Sequence, residues 1–239
     1  MASSAQESTQ EIALIVGAGT GLSASLARLF AGAGMRVALV ARDVVKLEAL
    51  VDETGARAYA CDATQEHDVA ALFEAVAGEY AAPDVVVYNP SYRIQGPVAE
   101  LDPGEVEKTL MVSCFGGFLV GQAAARQMEA RGSGTILFTG ASASVKGYVN
   151  SAPFAMGKFG LRGLAQSMAR ELAPKNIHVA HFVIDGGILQ GARDPRSSRR
   201  GPDGMLDPDA IAETYLAIHR QHRSAWTWEV ELRPWVETF

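Results

Sequence analysis

Residues 12–23 read Ile12-Ala13-Leu14-Ile15-Val16-Gly17-Ala18-Gly19-Thr20-Gly21-Leu22-Ser23. The first five form an unbroken apolar run, short and ended by glycine, which reads as a strand buried on both faces. From Leu22 to Ala33, residues Leu22, Leu26, Leu29 and Phe30 share one face, which is helical spacing, and Gly34 fits the position just past the helix end. A strand, a glycine-rich turn and a helix in that order bring the backbone close to an anion. The helix start then offers free N–H groups and the positive end of its dipole.

Outward from that unit the same alternation repeats. Strands are expected at 37–40, 56–60, 85–88, 136–139, 177–183 and 226–232, and helices at 44–53, 66–80, 103–130, 153–173 and 208–222. Asp102-Pro103-Gly104-Glu105 and Asp207-Pro208 are helix starts, with aspartate as cap and proline in the first turn. Strict alternation of strand and helix implies a parallel sheet joined by right-handed crossovers. The expectation is a single-domain α/β Rossmann fold over residues 11–239, a doubly wound seven-stranded parallel sheet with helices on both faces. Residues 1–10 read as a short disordered tail, and 188–205, rich in Arg, Gly, Pro, Ser and Asp, as a flexible substrate loop.

Composition narrows the function classes. The 239 residues carry a net charge of −6, against the basic excess of a nucleic-acid binder. No apolar run reaches the roughly 20 residues that span a bilayer, and the first ten lack the pattern of a secretion signal. Cys61 and Cys114, without metal-ligand spacing, read as reduced core thiols, so the expected compartment is the cytoplasm. The five histidines, His67, His178, His181, His219 and His222, make no convincing metal set, and none is expected. The arginines at 193, 196, 199 and 200 read as a solvated lid, and Trp226, Trp228 and Trp235 as packing for the last strand or a subunit interface.

The glycine turn points to a dinucleotide held by Gly17, Gly19, Thr20, Gly21 and Leu22. At the end of the second strand, Ala41 stands where an acid would accept the ribose 2′-hydroxyl of NAD, and Arg42 follows. A guanidinium suits a 2′-phosphate, so NADP(H) is the expected cofactor. Asp62, before Ala63, can accept from the adenine amino group or cap the helix that follows.

These residues, in this order, resemble the short-chain dehydrogenase/reductase family over nearly the whole chain. Val16-Gly17…Gly21…Ser23 matches its glycine turn, with Ser23 for the third glycine. Tyr88-Asn89-Pro90-Ser91 loosely matches its motif after the fourth strand, and Asp185-Gly186 its motif after the sixth. Phe154-Ala155-Met156-Gly157-Lys158 falls on its Tyr-x-x-x-Lys motif. Residues 140–234 also resemble a subgroup with phenylalanine at that position, usually labelled as oxidoreductases. The resemblance implies hydride transfer between a nicotinamide and a carbonyl or alcohol. It adds Ala63, Asn89, Pro90, Gly187 and Ile188 to the cofactor contacts, and gives Lys158 to the nicotinamide ribose. It implies a homodimer or homotetramer formed through the two long helices, and a small carbonyl or alcohol substrate.

Phe154 breaks the pattern, since its ring has no proton to give, and a lost positioned acid costs about 10²–10⁴-fold in rate. Ser113 stands at the family's asparagine position. The family's serine falls between Ala141 and Ser142, with Ser144 near. Three readings stay open: an oxidoreductase using Ser142, Tyr148 and Lys158 as catalytic residues, a catalytically silent NADP(H)-binding sensor or scaffold, or a pocket that runs a different reaction with the nucleotide bound for structure only.

Overall fold

The apolar run that opened the sequence forms β1, Ile12–Val16, and all five of its residues are buried. In the structure, a computed structural model describing residues 10–191 and 194–238, six more strands lie parallel to it. They are β2 (Arg36–Ala41), β3 (Arg57–Ala60), β4 (Val85–Tyr88), β5 (Gly134–Thr139), β6 (Ile177–Ile184) and β7 (Glu229–Leu232). Their order is β3-β2-β1-β4-β5-β6-β7, so the chain reverses direction across the sheet between β1 and β4. The Rossmann arrangement expected from the alternation is therefore present, with its switch point at the glycine turn.

The period-2 alternation of strand side chains divides the core into two layers. Ala13 and Ile15 face α1 (Leu22–Gly32), α2 (Glu48–Thr54) and α8 (Pro208–His219), where Leu26, Phe30 and Tyr215 are fully buried. Ile12, Leu14 and Val16 face α3 (Glu66–Glu79), α5 (Gly116–Arg131) and α6 (Ala152–Leu172), against Phe73, Val120, Met128 and Leu161. Burying each such side chain contributes about 1.5–3 kcal/mol.

Helix starts follow the expected chemistry. The Asp102 carboxylate accepts from Glu105 N–H at 3.0 Å to open α4 (Pro103–Leu110), and Asp207 accepts from Asp209 N–H at 2.8 Å to open α8. The long helix expected over 103–130 is not uniform. Met111–Phe115 is a π turn, in which Gly116 N–H donates to the Met111 carbonyl five residues back. The buried Tyr88 hydroxyl donates to the Val112 carbonyl at 2.6 Å, so a side chain from β4 enters the helix ladder. Other boundaries shift as well: α2 begins at Glu48 rather than Val44, and β5 at Gly134 rather than Ile136. The last helix ends at His219 rather than His222, and β7 begins at Glu229 rather than Trp226. Trp226 stacks flat on His178, with ring centroids 4.7 Å apart, and its Nε1 donates to the Gln221 carbonyl, a corner rather than a ladder.

Between β6 and α8 the chain forms α7 (Ser197–Arg200), and Ile188 bridges to Leu206. The buried Asp194 carboxylate accepts from the Arg196 guanidinium, Arg196 N–H and Gln190 N–H, and these, the guanidinium foremost, hold it below the usual carboxylate range. Residues 1–9 of the expected tail, and Arg193, lie outside the described residues.

Candidate active site

The C-terminal ends of β1 to β4 open onto one crevice of about 410 Å³, lined among others by Gly17, Ala18, Arg42, Asp62, Ala63, Asn89 and Pro90. Its floor is tight. Gly17 has φ +85°, and a Cβ there would meet the Pro90 backbone nitrogen at 2.7 Å, so the first turn admits only glycine. Gly19 and Gly21 differ: a Cβ on either would meet nothing within 4 Å. They leave open space in front of a helix start that no side chain caps, since Gly21 is the N-cap of α1. Ser23, at the third glycine position, is buried and structural. Its hydroxyl donates to the Gly17 carbonyl at 2.9 Å and accepts from the Asn89 amide at 2.7 Å, tying the β1 and β4 turns together.

Arg42 stands exposed on the rim with no hydrogen bond or ion pair to any described residue. Asp62 lines the crevice, and one of its oxygens also accepts from Thr64 N–H at 3.0 Å and Thr64 Oγ1 at 2.8 Å. It closes a turn before α3, whose N-cap is Gln65, and so does not cap that helix. The Cys61 thiol beside it is pushed up to about 12 by burial, then by Asp68 and Asp62, and is unreactive as a thiolate.

A second cleft, about 290 Å³, is lined among others by Arg93, Ser142, Tyr148, Phe154, Asp185 and Gly187. The structure brings Ser142 and Tyr148 together here, from the loop between β5 and α6. Ser144 is excluded: it is fully buried, and its hydroxyl accepts from Ala141 N–H at 3.1 Å within the turn. Lys158 lies behind Phe154. It is buried, donates to the Thr139 carbonyl at 2.8 Å, and sits 5.8 Å from the centre of the Phe154 ring. Burial lowers it to about 8, so the ammonium deprotonates far more readily than a surface lysine. Gly187 reaches this cleft, whereas the backbone of Ile188 is engaged by Leu206 and the Arg196 guanidinium. Ser113 is buried in the π turn, its hydroxyl 3.4 Å from the Tyr92 carbonyl. Gly157 of α6 fits against it so closely that a Cβ would lie 2.8 Å from that of Ser113.

The sequence profile described as short chain dehydrogenase matches residues 11–194. This chain belongs to the short-chain dehydrogenase family. It is 37% identical to a short-chain dehydrogenase from Rhodopseudomonas palustris, covering 94% of this chain and 99% of that one with a TM-score of 0.82. It is 28% identical, with a TM-score of 0.81, to a metagenomic short-chain oxidoreductase solved in complex with NADP, covering 94% and 97% of the two chains. Among characterised relatives, it is 29% identical over 216 residues to the cis-4-hydroxycyclohexanecarboxylate dehydrogenase of Sinomonas cyclohexanicum, covering 85% of this chain and 87% of that one. It is also 29% identical over 174 residues to the D-threitol dehydrogenase of Mycolicibacterium smegmatis, covering 71% and 67%.

Against this short-chain dehydrogenase frame, several site features escaped sequence reading. Arg93 has no motif around it and enters the cleft only through the path of its loop. Asp185 matched a family motif position, but its pairing with Lys146 at 3.4 Å and Arg233 at 2.9 Å joins three separate segments. His181 is fully buried on β6 and pairs with Glu229 at 3.1 Å, while Glu229 holds Arg162 through two bonds. Burial is the largest influence on that ring and lowers it to about 4, outweighing the Glu229 carboxylate, so it is neutral near pH 7. No group of three or more potential metal ligands occurs among the described residues.

Proposed function

We propose that this short-chain dehydrogenase is an NADP(H)-dependent oxidoreductase that interconverts a carbonyl and an alcohol on a small molecule, with an altered proton-donor arrangement. The observation that carries this reading is the open crevice at the β1/β4 switch point. It combines glycines with free space before them, an uncapped helix start and an unpaired Arg42 on the rim. Those features fit a dinucleotide carrying a 2′-phosphate. Gly17, Gly19, Thr20, Gly21 and Leu22 would face the pyrophosphate, Arg42 the 2′-phosphate, Asp62 and Ala63 the adenine, Asn89 and Pro90 the adjoining ribose, and Gly187 and Ile188 the nicotinamide.

The bound cofactor supplies or takes up the hydride. The chain's own residues handle the substrate oxygen. Ser142 donates a hydrogen bond to it, and Tyr148 moves its proton. Beside the Tyr148 ring stands the Lys146 ammonium, held above the ordinary lysine value first by the Tyr148 hydroxyl and then by Asp185. Lys158 would hold the nicotinamide ribose when the cofactor is bound.

Phe154 supports the second reading, a silent NADP(H)-binding protein, because the ring at the usual donor position has no proton. One experiment separates the two. NADPH and NADH are titrated by nucleotide fluorescence into wild type and Arg42→Ala, and NADPH consumption is followed over a carbonyl panel in wild type, Tyr148→Phe and Phe154→Tyr. Preference for NADPH that disappears in Arg42→Ala, with turnover lost in Tyr148→Phe, supports the oxidoreductase. Turnover only in Phe154→Tyr supports the silent reading, and equal weak binding of both nucleotides rejects NADP(H).

We further propose assembly as a homodimer or homotetramer through α5 and α6. Phe115 and Phe118 stack at 5.9 Å near the start of α5, and together with Met156 and Phe159 of α6 they are 39–52% exposed. Light scattering on the purified chain tests this, and a monomer would rule it out.

A further inference from the structure

The charges around the carbonyl-end cleft are paired, with one exception. Asp185 is nearly buried and has Lys146 and Arg233 against it. Glu237 is paired with Arg200. Arg93 faces the same cleft and has no carboxylate partner among the described residues. Its one hydrogen bond is a long one, 3.4 Å to the Ser151 hydroxyl. It is nevertheless held in position, because its guanidinium carbon lies 5.2 Å from the centre of the Phe154 ring.

Phe154 thus has a cation at two places: Lys158 in the protein interior and Arg93 in the cleft. A tyrosine hydroxyl at this site would face the reacting oxygen. The bare ring instead serves as a platform for a guanidinium. Both acids of the cleft are already neutralised, so an incoming anion meets a net positive field and a planar donor fork. Guanidinium forks bind carboxylates through two parallel bonds.

We propose that the substrate is a small carbonyl compound bearing a carboxylate, with the carboxylate paired to Arg93 and the carbonyl at Ser142 and Tyr148. This rests on the oxidoreductase reading and names its substrate class. Both anchor points line one cleft of about 290 Å³, which favours short oxo acids over long ones.

The test uses the full chain with NADPH and two probe pairs: 3-oxobutanoate and 4-oxopentanoate, each against its methyl ester. At least one acid is expected to exceed its ester in kcat/KM by about 10- to 100-fold, the worth of a charge-assisted bond, with the difference in KM. Arg93→Met should bring that ratio close to one, and Arg93→Lys should restore part of it. Melting temperatures confirm that both variants fold. Esters used as well as acids, or a ratio unchanged in Arg93→Met, overturn the proposal. If no probe turns over, calorimetry of the acids with the NADPH complex decides separately. Binding that Arg93→Met abolishes keeps the anion site and removes the oxidoreductase reading, whereas no binding removes the anion site.

Discussion

The two ends of this site were built under different constraints. At the nucleotide end, backbone does the work: a positive-φ glycine, two open glycines and an uncapped helix, braced by the Ser23–Asn89 bond. At the other end, the proposed carbonyl end, side chains from separate segments line the cleft, Phe154 among them. The first arrangement is fixed at Gly17, where a Cβ would meet Pro90. The second can be rebuilt, since a cleft accepts any side chains that reach it. One fold therefore keeps its cofactor-type crevice while its chemistry end varies.

The sharpest way to test that contrast is to remove a group at the carbonyl end. Tyr148→Phe is expected to lower kcat by about 10²–10⁴-fold with little change in NADPH affinity, measured by steady-state kinetics and fluorescence titration. An equal fall in nucleotide affinity would erase the division between the ends.

At the nucleotide end the largest expected effect is on stability. Gly17→Val combines φ +85° with overlap on Pro90, so it should cost more than about 3 kcal/mol in denaturant unfolding and abolish NADPH binding.

The buried charges behind the carbonyl end give a pH signature of similar size. The His181 pKa of about 4 lies below the roughly 6.5 of an unfolded chain. Between those values the unfolded state binds more protons. Stability from this group is complete above about pH 6.5 and is lost as pH falls toward 4, by up to about 3 kcal/mol. Glu229 acts in the same direction. Burial would raise it, yet Arg162 and then His181 bring it below its ordinary value. Unfolding free energies from pH 7 to 4 measure chiefly the His181 part, which His181→Phe should flatten, and the Glu229 part follows at lower pH.

Two smaller effects sharpen the nucleotide end. Arg42→Ala should weaken NADPH by about 10- to 100-fold and leave NADH unchanged in the same titrations. Ser23→Ala, which orphans the Asn89 amide, should cost about 1 kcal/mol in stability.

The fold was legible because its signals are local. The Ile12–Val16 run, the helical stripe of Leu22, Leu26 and Phe30, and the two Asp-Pro starts each depend on residues a few positions apart. Residues 111–115 were not legible: the π turn there has as its visible partner Tyr88, more than twenty positions upstream, whose hydroxyl reaches the Val112 carbonyl. Ser142 and Tyr148 were legible as candidates because they share one loop with a family motif, and the structure does place them in one cleft.

By itself, then, the sequence determined the order of strands and helices, the glycine turn, and the hydroxyl-free side chain at Phe154. Those follow from local periodicity and from the identity of single residues. Lys158 lies one turn along α6 from that ring and was readable from the sequence, but only the tertiary structure brought Arg93 to it. Asp185 of the same cleft pairs with Lys146, and which charges find a partner depends on where the chain folds back. Coulomb and burial effects act through space, so the unpaired Arg93 and the lowered Lys158 emerge only when the sheet and its loops are assembled.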